Sequence, residues 1–325
     1  MRLVVVHEQS NEFGGTERVL EAVLRRWPDA RTVAPRFAGE AAVARMTQPV
    51  CEIPLSGRRN HFLGPLYARR VAAQPLGEAE LVLSLPGSGW ALAANPPSGV
   101  PHVAYAAGLP RALYGQTRSY LPGYAPPLRP LIRAGLPALR AHHRGMTRRP
   151  QRLLTNSAFS AAGLARECGV TAEVIHPPVR TDFFTPAPAP RRQFLLVARL
   201  GPQKLVDAVV AAFRELPRER LVIAGTGRSL ERLRAAAPAN VRFDGFVSDE
   251  RLRELYRSSH ALLCPSIEEF GIVVAEALAC GTPAVARAEG GSAEIVDHGE
   301  TGLLLDTARP ASIAAAVRAI RGRGW

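Results

Sequence analysis

Short apolar runs alternate along the chain with longer stretches in which apolar residues recur at helical spacing. The first run is Leu3 to His7, and Val19, Leu20, Val23 and Leu24 then follow three and four apart. Further strand-like runs lie at 32–34, 81–85, 102–105, 152–155 and 173–175, and then at 194–198, 221–224 and 261–264. Strand alternating with helix predicts parallel, doubly wound α/β sheets. Between Leu109 and Pro150 prolines and arginines are dense, and the helical period is broken. The run Thr185-Pro186-Ala187-Pro188-Ala189-Pro190 reads as a stiff linker. It divides the chain into residues 1–184 and 191–325, and two domains suit a chain of 325 residues.

One predicted helix, from about Phe270 to Cys280, is apolar nearly all round, so it should be buried. Glu268 precedes it and Glu276 lies inside it, where a carboxylate is costly without a partner or a task. Eight residues of helix advance ~12 Å, whereas the paired carboxylates of a glycosidase stand roughly 5 to 9.5 Å apart. Glu268 and Glu276 are therefore a poor acid–nucleophile pair. Eight steps of about 100° return them to a similar side, which suits two grips on a long polyhydroxylated ligand. The plainer alternative is one capping and one salt-bridged glutamate.

Composition changes this picture in three ways. The net charge is +13, carried by forty arginines and a single lysine, Lys204. So lopsided a choice points to codon bias, and a lysine that survives it marks a place where a compact charge on a flexible stem is needed. From Arg58 to Arg166 there are fourteen arginines against two acids, Glu78 and Glu80. That stretch suits an anionic lipid surface or a phosphorylated substrate, or else a solvated basic face, and no nucleic-acid-binding module accompanies it. Cys51, Cys168, Cys264 and Cys280 show no metal-ligand spacing, which fits buried thiols in a reducing compartment. No apolar run reaches 18 residues, and the start is too short in apolar residues for a signal peptide. A cytoplasmic protein is expected, one that can sit at the inner membrane face.

Two loops carry candidate anion chemistry. Gly14 and Gly15 stand between the first strand and the first helix, where backbone N–H groups and a helix N-terminus meet an anion. The third glycine of a dinucleotide fingerprint is missing, and a tight turn is the alternative. Arg199 and Lys204 follow the strand at 194–198, at the edge of a parallel sheet where a diphosphate would bind.

The stretch Pro265 to Gly302 resembles the C-terminal signature of the family 4 retaining glycosyltransferases, which have the GT-B fold. The resemblance rests on the Glu268-x7-Glu276 pair, Phe270-Gly271, the run from Glu276 through Gly281-Thr282-Pro283, and the loop Gly290-Gly291-x-x-Glu294. Glu269 and the wording Gly14-Gly15-x-Glu17-Arg18-Val19-Leu20-Glu21 are similar to a mannosyltransferase-type subgroup and point to GDP-mannose. The resemblance implies two Rossmann-like domains facing a cleft, with 1–184 binding the acceptor and 191–325 the nucleotide-sugar donor. It implies that Glu268 holds the transferred sugar, that Arg199 and Lys204 bind the pyrophosphate, and that Glu276 holds the ribose. Gly14, Gly15, Gly225, Phe246, Phe270, Gly271 and Ile272 would complete the donor site. The leaving phosphate itself would take the proton of the acceptor.

Ala107 departs from this pattern, because the family has its active-site histidine there. His102 or Arg111 would have to compensate, or activity is altered. His142 and His143 read as exposed residues of a basic helix and receive no role. The chain has no Asp-x-Asp, so transfer without a metal and without a cofactor is expected. The donor would be GDP- or UDP-linked, and the acceptor a carbohydrate, lipid-linked or small-molecule hydroxyl. A nucleotide-sugar epimerase and a non-catalytic sugar-nucleotide binder stay open as alternatives, and nucleic acid is not an expected partner.

Overall fold

The computed structural model describes residues 1–8, 15–37, 50–55 and 62–323. The chain divides into two compact units, Met1–Pro178 and Val179–Trp325. In the first unit the elements are β1 (Leu3–His7), α1 (Gly15–Arg26), β2 (Arg31–Phe37), β3 (Val50–Leu55), α2 (Gly64–Ala72), β4 (Leu81–Leu85), β5 (His102–Ala106), α3 (Thr117–Tyr120), α4 (Leu128–Thr147), β6 (Arg152–Thr155), α5 (Ala158–Cys168) and β7 (Glu173–Val174). Their strands form one sheet in the order β3-β2-β1-β4-β5-β6-β7, and every pairing is parallel.

The second unit runs β8 (Gln193–Val197), α6 (Val206–Arg214), β9 (Leu221–Ala224), α7 (Leu230–Ala236), β10 (Val241–Gly245), α8 (Asp249–Arg257), β11 (Ser259–Cys264), α9 (Ile272–Ala279), β12 (Ala284–Arg287), β13 (Gly302–Leu305) and α10 (Pro310–Arg323). Its sheet, also parallel, has the order β10-β9-β8-β11-β12-β13. In both sheets the strand order reverses beside the first strand, between β1 and β4 and between β8 and β11. A ligand crevice opens at such a switch point, outside the carboxyl ends of the strands.

Alternation along the strands explains why both faces of each sheet are covered. Val4 and Val6 of β1 enter one core with Val82, Leu92 and Ala104, while Leu3 and Val5 enter another with Leu20, Leu85 and Tyr105. In β8, Phe194 and Leu196 pack with Val209 and Phe213, and Leu195 packs with Tyr256, Val274 and Ala277. Parallel strands buried on both faces read as continuous apolar runs, which is how these strands stood out in the sequence. Ser157 caps α5 by accepting the Ser160 N–H at 3.0 Å, and Gly169 ends that helix in the left-handed region at φ 64.

Several expectations need adjustment. The division falls after Pro178 rather than after residue 184, because Phe184 is fully buried in the core of the second unit beside Leu195 and Tyr256. Thr185 is tied to that unit through Arg257, which donates to its carbonyl and its hydroxyl at 2.7 Å each. The Pro-dense stretch 109–150 contains the 20-residue helix α4. Pro130 sits in its first turn, where the missing N–H costs nothing, and Pro137 removes only one interior hydrogen bond. Of the four cysteines, which are all free thiols, Cys51 is exposed and the other three are buried.

Candidate functional site

Each strand end in the second unit contributes one piece of a single loop cluster. After β8 the chain passes through Ala198 to Leu200 and into a 3-10 turn at Pro202–Lys204. The Leu200 N–H donates to the Thr226 carbonyl at 2.8 Å, and the Leu200 carbonyl accepts from Ser229 N–H at 3.0 Å. The loop after β9 lies so close that a Cβ on Gly225 would stand 1.9 Å from the Ala198 carbonyl oxygen, so only glycine fits there. Leu205 closes the turn in the left-handed region at φ 52, the only non-glycine residue with positive φ among the described residues. A branched side chain there is strained, and such strain persists where the surroundings fix the backbone.

Lys204 reaches the loop after β11. Its Nζ donates to both carboxylate oxygens of Glu268, at 2.7 Å each, and Ser266 Oγ donates to Oε1. The two charged side chains are only 20% and 13% exposed, so their attraction is screened far less than that of a surface pair. Two of the three ammonium hydrogens are used, which leaves one for a ligand. Behind Glu268 its own carbonyl accepts from Gly291 N–H at 2.7 Å. A Cβ on Gly291 would stand 2.2 Å from the Glu269 carbonyl oxygen, which accounts for the Gly290-Gly291 pair.

Gly271, at φ 100, opens α9 and packs against Ser292. Phe270 and Ile272 flank it and are half-buried. Glu276, one turn further on, is 2% exposed and accepts the Tyr256 hydroxyl at 3.0 Å. The Tyr256 carbonyl in turn accepts from Thr282 Oγ1 at 2.6 Å, so the Gly-Thr-Pro break fixes the tyrosine that orients Glu276. Phe246 follows Gly245 at the end of β10 and is 72% exposed. Arg199 is exposed on the β8 loop. The neighbouring Cys264 thiol is pushed up to about 12 by burial and by the charge of Glu268, which makes it unreactive.

The second unit thus brings together Glu268 and Lys204 in direct contact. It sets Arg199, Gly225, Phe246, Phe270, Gly271, Ile272 and Glu276 on the same strand-end loops or on the helix that leaves them. Ser266 and Tyr256 were not singled out from the sequence. Ser266 carries a signal in hindsight, two residues before Glu268, whereas Tyr256 reads as an ordinary core residue of an amphipathic helix. Gly15 opens α1 of the first unit, and Gly14 lies outside the described residues.

The first unit has a polar strand-end cluster of its own. Glu8, 2% exposed, accepts the N–H groups of Gly87, Ser88 and Ala91, which clamps the ends of β1 and β4 together. His7 Nε2 lies 3.2 Å from the equally buried Glu17. Ala107 follows β5, and its carbonyl accepts from Asn156 Nδ2 at 3.1 Å. His102 cannot replace an imidazole there. It begins β5 at the opposite sheet edge, roughly 17 Å away along the strand. It is buried against Ser84 at 2.8 Å, and desolvation drives its pKa down to about 4. The imidazole at the correct edge is His176, which follows β7 and bonds the Asn156 carbonyl at 3.0 Å. His143 is also buried rather than exposed, packed between Tyr114 and Cys168. Among the described residues no group of three or more His, Cys, Asp or Glu could hold a metal ion.

Comparison with known proteins gives this cluster a context. Residues 180–321 match the family model Glycosyl transferases group 1. That match spans the whole loop cluster of the second unit. The D-inositol 3-phosphate glycosyltransferase of Geodermatophilus obscurus is 37% identical over 205 residues, 53% of this chain and 46% of its own. The protein of the same name from Mycobacteroides abscessus is 36% identical over 169 residues, 45% of this chain and 38% of its own. The chain therefore spans less than half the length of these relatives. Anabaena HepE, solved with UDP and glucose, covers 99% of the chain with 90% of its own at a TM-score of 0.74 and 20% identity. Sucrose-phosphate synthase from Thermosynechococcus elongatus does so with 90% of its own chain at 0.72 and 19%. The fold is GT-B, two Rossmann-like α/β domains. Among the described residues no helix is long and apolar enough to cross a membrane.

Proposed function

We propose that the chain is a glycosyltransferase that moves a sugar from a nucleotide diphosphate sugar to a hydroxyl acceptor with retention of anomeric configuration. The observation that carries this reading is the Lys204–Glu268–Ser266 cluster at the switch point between β8 and β11. A pyrophosphate there would meet Lys204 and Arg199, and charge developing on it during departure would be held by two fixed cations. Glu268 would grip the transferred sugar, Glu276 the ribose, and the loop that carries Phe246 would cradle the base largely by its backbone. The family match over residues 180–321 supports a sugar-nucleotide donor, and HepE is a neighbour solved with UDP. Glu269 and the Gly14-Gly15 wording favour mannose, hence GDP-mannose. Acceptor binding is assigned to the first unit. Its basic surface, and the name D-inositol 3-phosphate glycosyltransferase of two relatives, favour an acceptor that is itself anionic or is presented at an anionic membrane face.

The test is a thermal-shift screen of nucleoside diphosphates and their sugars, followed by release of nucleotide in the presence of acceptors. A ligand at 100 times its dissociation constant adds ~2.7 kcal/mol of stability. Turnover is expected to persist in excess chelator, because Arg199 and Lys204 take the place of a cation. Loss of turnover in chelator, restored by magnesium, would remove that assignment. Ala107 favours a second reading, a sugar-nucleotide binder without turnover, and stabilisation by donor with no product from any acceptor would select it.

A further inference from the structure

Helix α4 is covered on the wrong number of sides. Its inner face is already occupied, with Ile132, Leu136 and Leu139 packed against a core of Phe62, Leu113, Tyr114 and Leu121, and with His143, Met146 and Thr147 buried. Its outer face nevertheless carries no charge. Pro130, Leu131, Ala134, Pro137, Ala138 and Ala141 recur at helical spacing, and all six are exposed. Leu131 is 68% exposed and Leu128 48%; on the neighbouring helix α2 and just before it, Leu66 is 51% and Leu63 43% exposed. Between them lies an open cavity of about 500 Å³ lined by Phe62, Leu63, Pro65, Leu131, Ile132 and Leu139. Monomeric proteins rarely leave so continuous an apolar surface uncovered.

Charge identifies what covers it. Residues 81–166 contain no acidic residue at all, and ten arginines. Arg133 is exposed on the flank of α4, Arg148 and Arg149 are exposed beyond its C-terminus, and Arg69 and Arg70 are exposed at the end of α2. Arg129 and Arg140 are tied back to the carbonyls of Tyr124 and Leu113 at 3.0 and 2.8 Å, which holds the cationic flank in place. A second copy of this face would bring like charges together. An interfacial helix in an anionic bilayer shows just this pairing of an apolar face with a basic flank.

We infer that α4 and the start of α2 form a membrane-docking face, with the apolar face of α4 seated among the acyl chains of anionic lipid and the arginines at the headgroups. This deepens the anionic-surface part of the proposed function, but it stands without sugar transfer. The full chain is mixed with vesicles of phosphatidylcholine alone or with phosphatidylglycerol, and bound protein is measured by sedimentation without nucleotide. Binding to the anionic vesicles only is expected. Leu131→Asp should lower the partition coefficient at least about tenfold, and Arg133→Gln about fivefold, since each basic residue near an anionic surface contributes roughly that factor. Leu131 is an exposed side chain, so the variant should melt as the parent does and bind nucleotide equally. If it does not, Leu131→Ser replaces it. No vesicle binding, or binding that Leu131→Asp leaves unchanged, overturns the inference. So does a dimer in sedimentation equilibrium that the same substitution dissolves, which would give the face to a second copy. A donor-binding defect with intact vesicle binding would count against the sugar-transfer reading and leave this one standing.

Discussion

Replacing Lys204 by methionine keeps an unbranched side chain one atom shorter and removes its charge. Two consequences follow from the geometry. The first is a loss of stability in the second unit. Glu268, 13% exposed, loses two charge-assisted bonds of 2.7 Å and keeps the hydroxyl of Ser266. Breaking a fully buried pair costs about 3 to 5 kcal/mol and an exposed one under about 1. A pair this far from solvent, with one donor still present, should cost about 2 kcal/mol. The second consequence is in binding. One ammonium hydrogen is available for a diphosphate, and a bond to a charged group contributes about 1.5 to 3 kcal/mol, or roughly 10- to 100-fold in affinity. Glu268→Gln separates the two effects. It leaves Lys204 in place and removes its competitor, so nucleoside diphosphate should bind as tightly as before or tighter, while turnover falls about 10²-fold through loss of the sugar contact.

Titration calorimetry of UDP and GDP against the monophosphates reads the affinities, urea unfolding of each variant the stabilities, and nucleotide release in the presence of acceptor the turnover. Lys204→Met should weaken the diphosphates and leave the monophosphates nearly untouched. Lys204→Arg should recover part of the affinity, because the guanidinium is larger and differently shaped. The reasoning fails if Lys204→Met binds diphosphate like the parent, or if Glu268→Gln weakens diphosphate as much as Lys204→Met does.

Glu276→Ala should weaken binding of the whole nucleotide by about tenfold or more without a selective loss of turnover, and Tyr256→Phe should do the same more mildly by releasing the carboxylate; equal affinity of all three proteins in calorimetry would leave Glu276 a purely structural acid. Stability should depend on pH through His102 and His143, both driven to about 4 by burial in the first unit. The unfolded chain, with histidines near 6.5, binds more protons than the native one between pH 4 and 6.5. Their contribution is therefore complete above about pH 6.5 and is lost as pH falls towards 4. At pH 5 each should have cost about 2 kcal/mol, at 1.36 kcal/mol per pKa unit. Urea unfolding at pH 7.5 and pH 5 measures this, and an equal free energy at the two values would contradict the burial of both rings.

The strands were legible because both faces of each sheet are covered, so 3–7, 194–198 and 221–224 are continuous apolar runs that no surface element would carry. The chemistry was legible one side at a time. Lys204 and Glu268 stood out for separate reasons, a lone lysine and a carboxylate before a buried helix, but their contact joins residues 64 positions apart and has no local trace. Tyr256 left no trace either, since a tyrosine in phase with Leu252 and Leu255 reads as core. His143 was misread because Arg140 and Arg144 surround it in sequence, while its true phase follows Leu136, Leu139 and Met146. That phase was hidden by the apolar residues on the opposite side of α4. The two helices on which periodicity fails are α9, apolar all round yet holding Glu276, and α4, apolar on two faces. A sequence breaks the local rule where something other than its own core is to be satisfied. In α9, on the function proposed above, that is a nucleotide-sugar ligand for the buried carboxylate. In α4, on the inference drawn above, it is a lipid surface that the folded chain does not itself supply.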